Sequence, residues 1–191
     1  MEFKIEVPKK IDYCLSILIV GKREETMLFV ERLIKNDIVI HNLNCSLDFG
    51  ITLCKRKYIK FKNKIFKICF TFSDCKKHLG KKLIGYNDAI FFFYSSFDRN
   101  SFENVEKIFP KQESNELDYI CVLIRNNYEL CLKSEDDNYV SDEEAMEYAD
   151  KNNMLFAHIS SFEKYDSGIK NLLNLIIIEY FAKIIIIIKL K

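Results

Sequence analysis

Apolar strand-like runs alternating with helical patterns predict an α/β domain of three layers, built on a mostly parallel sheet of six strands. Two further observations support that class. Residues 15–20, 89–94 and 119–124 are apolar on both faces, as expected of strands covered by helices above and below. Residues 58–61 and 65–72 flank the turn Lys62-Asn63-Lys64 with period-2 alternation, which predicts a β-hairpin supplying the one antiparallel edge strand.

The elements follow in order. Residues 15–20 form the first strand, Gly21 ends it, and 26–35 reads as a helix with Met27, Val30, Leu33 and Ile34 on one side. Residues 51–53 and 58–61 lead into the hairpin turn, 65–72 returns, and 76–84 is a Lys-rich helical stretch. The aromatic run Phe91-Phe92-Phe93-Tyr94 belongs to a buried strand, and a helix over 101–109 is stopped by Pro110. After the strand at 119–124, Ser141-Asp142-Glu143-Glu144 is a capping box opening a helix to about Asn152. Residues 155–159 make the last strand, and a helix starts after Ser167. One domain spans 1–183, followed by an apolar and basic tail at 184–191. Five consecutive isoleucines at 184–188 predict an extended segment there.

A length of 191 residues suits one domain with a sizeable core, and 49% apolar with 30% charged residues describes a folded globular chain. A net charge of +1 gives no global field for nucleic acid or an anionic membrane. The basic cluster Lys55-Arg56-Lys57, with Lys60, Lys62 and Lys64, reads as the solvent face of a strand pair. Seven cysteines show no C-x-x-C pair, so reduced thiols and no zinc site are expected. Cys14, Cys69 and Cys121 lie in apolar runs, as small hydrophobes. The start MEFKIEVPKK has no apolar signal region, so a cytoplasmic location is expected. His41, His78 and His158 are scattered and read as structural. The acidic residues Glu135-Asp136-Asp137 and Asp142-Glu143-Glu144 read as a solvated face complementing a helix N-terminus.

In a sheet of this kind ligands bind at the carboxyl ends of the strands. At the first such end, the stretch ILIVGKREETMLF has the strand–glycine–helix frame of a phosphate-binding loop. It lacks the second glycine, lysine and hydroxyl residue of G-x-x-x-x-G-K-[ST]. Only five glycines occur in the chain, against an average usage near ~7%.

The segment AIFFFYSSFDRNSFENVEKIF carries the clearest resemblance, with Asp98, Arg99, Ser101, Phe102, Asn104 and Val105 matching a Rab pattern. Over roughly residues 12 to 181 the chain resembles a small GTPase of the Ras superfamily, closest to the Rab branch. That resemblance implies the P-loop NTPase-like small GTPase fold. It also implies which chemistry is missing. Thr26 or Met27 stands where the family's phosphate-binding lysine would be, and Met27 or Leu28 replaces the metal-holding hydroxyl residue. Glu24 and Glu25 place negative charge where phosphate sits. Asp48-Phe49 resembles the end of the first switch, but Asn44 replaces its threonine. Phe72, Ser73, Asp74, Cys75 and Lys76 replace the Asp-Thr-Ala-Gly-Gln of the second switch. Metal, lysine and positioned water are the supports of GTP hydrolysis, and all three are lost together.

The resemblance implies a vestigial guanine-nucleotide site at Gly21, Asn126, Glu129, Ser160 and Ser161, with no catalytic or metal residue. No cofactor is expected, and GTP or GDP would bind weakly if at all. The expected role is a protein-interaction module, in vesicle trafficking or another cytoplasmic assembly. It would engage protein partners through the former switch and hairpin surface around Phe49, Ile51, Phe70 and Leu83. The alternatives are a divergent GTPase that keeps weak guanine-nucleotide binding, and a small structural subunit of an obligate complex using its apolar tail. The sequence ends without the cysteines of a prenyl anchor, which leaves peripheral membrane contact by the tail as a lesser reading.

Overall fold

The structure is a computed structural model. It describes residues 8, 10–22, 26, 29, 43–47, 50–74, 87–109, 119–127, 138–160 and 167–189. The described elements are β1 (Tyr13–Gly21), β2 (Leu43–Leu47), β3 (Gly50–Phe61), β4 (Lys64–Asp74), β5 (Ala89–Tyr94), α1 (Arg99–Ile108), β6 (Ile120–Asn127), α2 (Asp142–Lys151), β7 (Leu155–Ser160) and α3 (Ser167–Lys189). Thr26 and Phe29 are helical, whereas most of the helix expected over 26–35 and all of that at 76–84 lie outside the described residues.

The strands form one sheet of seven in the order β2-β3-β4-β1-β5-β6-β7. β1 pairs in parallel with both β4 and β5, and the parallel pairing continues through β6 to β7. β3 runs antiparallel to β4 and β2. The α/β class with a mostly parallel sheet and one antiparallel strand therefore holds. The six expected strands are all present, and a seventh, β2, lies outside β3 and takes the edge position. Its sequence LNCSL alternates Leu43, Cys45 and Leu47 with Asn44 and Ser46, a period-2 signal too short to mark a strand by itself.

Alternation along each central strand divides the core into two layers. Leu15, Ile17 and Ile19 of β1, Phe91 and Phe93 of β5, and Val122 and Ile124 of β6 face one side. There they pack with Phe29 and with Ile169, Leu172, Leu173, Ile176 and Ile177 of α3. Leu18, Val20, Ile90, Phe92, Tyr94, Cys121 and Leu123 face the other side, against Phe102 and Val105 of α1 and Ala145 and Ala149 of α2. Both faces of the sheet are covered, so its strands read as continuous apolar runs.

Local signals explain the ends of the elements. In α2, Ser141 is the N-cap and its Oγ accepts the Glu144 amide at 3.1 Å, as the capping box predicts. Asn153 closes the helix at φ 51°, with its amide on Asp150 O and the Met154 amide on Ala149 O. The β3–β4 hairpin turns on Lys62 and Asn63, both left-handed at φ 44° and 63°. Those angles match the two-residue turn whose twist suits flanking strands. Its register places Lys57 opposite Ile68 and Arg56 opposite Cys69, so the basic cluster is divided between the two faces rather than lining one.

At the C-terminal end the expectation of an extended segment over 184–188 is overturned. α3 continues as one helix of 23 residues to Lys189. A β-branched residue costs only ~0.5 kcal/mol of helix propensity, while an established helix gains one hydrogen bond for every residue added. Among the α3 side chains that are described, up to Ile185, the last buried one is Ile177; Tyr180 and Phe181 pack against the core edge, and Ile185 is 50% exposed. No described helix is long and apolar enough to cross a membrane.

Candidate functional site at the carboxyl edge of the sheet

After β1 the chain moves to the β4 side of the sheet; after β5 it moves to the β6 side. The carboxyl ends of β1 and β5 are thus the topological switch point, where doubly wound sheets bind ligands. Gly21 and Lys22 stand at one side of that crevice and Ser95, Ser96 and Asp98 at the other.

Gly21 ends β1, and the helical Thr26 is tied back to the residue after it: the Lys22 carbonyl accepts the Thr26 amide at 3.0 Å and Thr26 Oγ1 at 3.2 Å. The Thr26 hydroxyl is therefore engaged with its own backbone. A Cβ on Gly21 would lie 2.8 Å from Phe93 Cβ and 3.1 Å from Thr26 Cγ2. The glycine is required here by close packing against β5. Beside it, Lys22 Nζ forms an ion pair with Asp98 Oδ2 that crosses the mouth of the crevice. Both side chains are partly shielded from water.

Asp98 is the N-cap of α1, yet its carboxylate makes no capping hydrogen bond to that helix. Ser101 organises the turn instead: its Oγ accepts the Ser95 amide at 2.9 Å and donates to the Asp98 carbonyl at 2.7 Å. Ser95, Ser96 and Ser101 are all buried. The next residue, Arg99, points the opposite way. Its guanidinium holds both oxygens of Glu144 at 2.8 and 2.9 Å and donates to the Tyr139 carbonyl at 2.8 Å. The hydrogen bonds that Arg99 donates to Glu144 raise Arg99 above its ordinary value and hold the Glu144 carboxyl below its own. Backbone bonds from Arg99 N to Asn138 O and from Val140 N to Ser96 O tie the two loops together.

Arg125, at the end of β6, is buried and pairs with Asp142 in the first turn of α2. Tyr94 lies opposite Arg125 in the ladder, and burial pushes its phenol far above the usual value, so it stays protonated. The acidic start of α2 is the solvated face at a helix N-terminus expected from sequence, with Asp142 and Glu144 partly exposed, and those two also engage arginines from β6 and α1. Those partners were legible only as a charged residue ending an apolar run and as an arginine inside a motif.

The structure brings part of the expected nucleotide site together. Asn126 is fully buried and pairs with Ile159, so Ser160 follows beside it at the end of β7. Gly21 is separated from them by β5. Glu129 and Ser161 lie outside the described residues, as do Phe49 and Leu83 of the expected interaction surface. Ile51 is placed by its backbone in β3. Phe70 needs correction: its side chain is 1% exposed, inside the layer beneath α3, and offers nothing to a partner. The period-2 alternation that put Phe66 and Ile68 inward also puts Phe70 there. Cys14 is exposed rather than a small core hydrophobe, while Cys121 is buried. His158 is exposed on β7, and no group of His, Cys, Asp and Glu fit to hold a metal ion occurs among the described residues.

No curated protein matches the chain. The family model described as the Ras family matches residues 76–180, more than half of the 191 positions. That span runs from before β5 into α3 and includes the Asp98–Arg99 turn, Asn126 and Ser160. With the sheet order and the position of the crevice, this match means that the chain belongs to the Ras family.

Proposed function

We propose that this Ras-family chain is a Rab-like protein-interaction module that has given up Mg²⁺-dependent GTP binding and GTP hydrolysis. The observation that carries the reading is the Lys22–Asp98 pair at the switch point. A phosphate-binding loop presents uncompensated positive charge and free backbone amides to an anion. Here the cation beside β1 is neutralised by the protein's own carboxylate, and the space beside Gly21 is filled by Phe93 and Thr26. The replacement of the family's lysine, metal-holding hydroxyl and glutamine in this sequence supports the same reading. Without a γ-phosphate to order them, segments corresponding to the switches have no reason to cycle. A constant surface including Phe49, Ile51 and Leu83 would then recognise its protein partner, in a trafficking or other assembly.

Titration with GTP and GDP, with and without Mg²⁺, tests this by thermal shift and calorimetry. No shift at millimolar nucleotide is the expected result. Micromolar, Mg²⁺-dependent binding would overturn it. A second reading is weak guanine-nucleotide binding without metal, favoured by the burial of Asn126 beside the end of β7. It predicts a small Mg²⁺-independent shift abolished by Asn126→Ala.

A further inference from the structure

We infer that the carboxyl edge of the sheet is locked, with no ligand, by a relay of ion pairs running Lys22–Asp98, Arg99–Glu144 and Asp142–Arg125, which acts as one cooperative unit. The relay is continuous because its members come in adjacent couples. Asp98 and Arg99 are consecutive and point to opposite neighbours, one to the residue after β1 and the other to α2. Asp142 and Glu144 share the first turn of α2 and receive arginines from β6 and α1. The ends of β1, β5 and β6 at this edge are therefore joined through charge.

Local rules favour a different arrangement, which is why these pairs carry weight. An aspartate at an N-cap ordinarily accepts amides of its own helix. Asp98 makes no such bond and turns to Lys22. Arg125 is a buried cation whose isolation would be costly, and Asp142 satisfies it. Arg99 adds a bidentate grip and a bond to Tyr139 O, while Phe97 stacks obliquely on Tyr139 with ring centres 5.8 Å apart. Lys22–Asp98 holds the turn that aims Arg99 together with Ser101, so its loss would loosen the grip on Glu144 and couple two ends of the relay that do not touch.

The test is a double-mutant cycle between two residues that make no contact with each other, Lys22→Met and Glu144→Gln, read by urea unfolding at low salt without nucleotide. For a unit, the second substitution loses much less once the first is made. The expected coupling is about fivefold in the unfolding equilibrium constant, falling away in 1 M NaCl. Effects that add to within about twofold would show three separate pairs and overturn the relay. Should a variant not fold, amide exchange of Arg99 and Val140 in the unmodified protein gives the same decision. Added salt should release both amides together, and independent release overturns the proposal. Nucleotide enters neither arm, so the outcome is separate from that of the function proposed above.

Discussion

The backbone of Gly21 lies so close to β5 that a β-carbon on it would stand 2.8 Å from Phe93 Cβ. Gly21→Ala is therefore expected to force the β1 terminus away from β5 and to destabilise the protein by about 1–3 kcal/mol, as overpacking does. Chemical denaturation measures this. An unchanged midpoint would mean that the glycine is not held there by packing.

The Arg99–Glu144 pair makes stability depend on acid. The Glu144 carboxyl is held below its ordinary 4.5 by hydrogen bonds from Arg99, and that of Asp12 below 3.8, first by the Ile65 amide at 2.8 Å. A lowered carboxyl contributes stability that is complete above its unfolded value and lost as pH falls through its folded one. The unfolding temperature should be level from about pH 7 to 5 and drop below 4.5. Glu144→Gln should remove part of that dependence. Parallel curves for the two proteins would refute the assignment.

Thiol reactivity should separate Cys14 from Cys121. Burial pushes the Cys121 thiol up to about 12, which leaves almost no thiolate at pH 8, whereas Cys14 is exposed. Mass mapping after brief alkylation of the folded protein should find Cys14 modified and Cys121 intact until denaturant is added. Early labelling of Cys121 would contradict its position beneath α1 and α2.

Two isoleucines of α3 should respond differently to truncation. Ile176 is fully buried between helix and sheet, and Ile176→Ala is expected to cost about 2–4 kcal/mol. Ile185 is half exposed, and Ile185→Ala should change stability by less than about 0.5 kcal/mol. Denaturation midpoints of the two variants provide the comparison. Equal losses would show that the far end of α3 packs against something in solution.

The parts of the fold that could be read in advance are those with one dominant local cause. Continuous apolar runs identified β1, β5 and β6 because both of their faces are covered. Ser141 located the start of α2 because an N-cap is a local hydrogen bond. The isoleucines at 184–188 misled because intrinsic preference was weighed without the helix already formed before them. β2 escaped because five residues of weak alternation gain their meaning only from β3 beside them. The positions of Gly21 at the end of β1 and Asn126 near the end of β6 were legible from the apolar runs before them, and the alternation along β4 was enough to place Phe70 indoors. Lys22, Arg99, Glu144, Arg125 and Asp142 were not legible as partners, since each pair joins elements distant in sequence. Only the tertiary structure brings such charges together.

The left-handed turn at Lys62 and Asn63 has a consequence for how the molecule assembles. It closes β3 onto β4 across two residues, whereas the parallel ladder of β1 on β4 joins residues 53 positions apart, from Tyr13 opposite Phe66 to Gly21 opposite Asp74. Loop closure is cheapest for the hairpin, so the hairpin should form first and β4 should then serve as the template on which β1 docks. A lysine at positive φ is an uncomfortable start for that nucleus. Replacing the turn by Lys62→Asn with Asn63→Gly should raise the refolding rate several-fold in stopped-flow measurements and leave the unfolding rate nearly unchanged. A gain confined to the unfolding limb would place the hairpin late. With refolding accelerated, the chain's pace of folding is set by the same few residues that look least like a site.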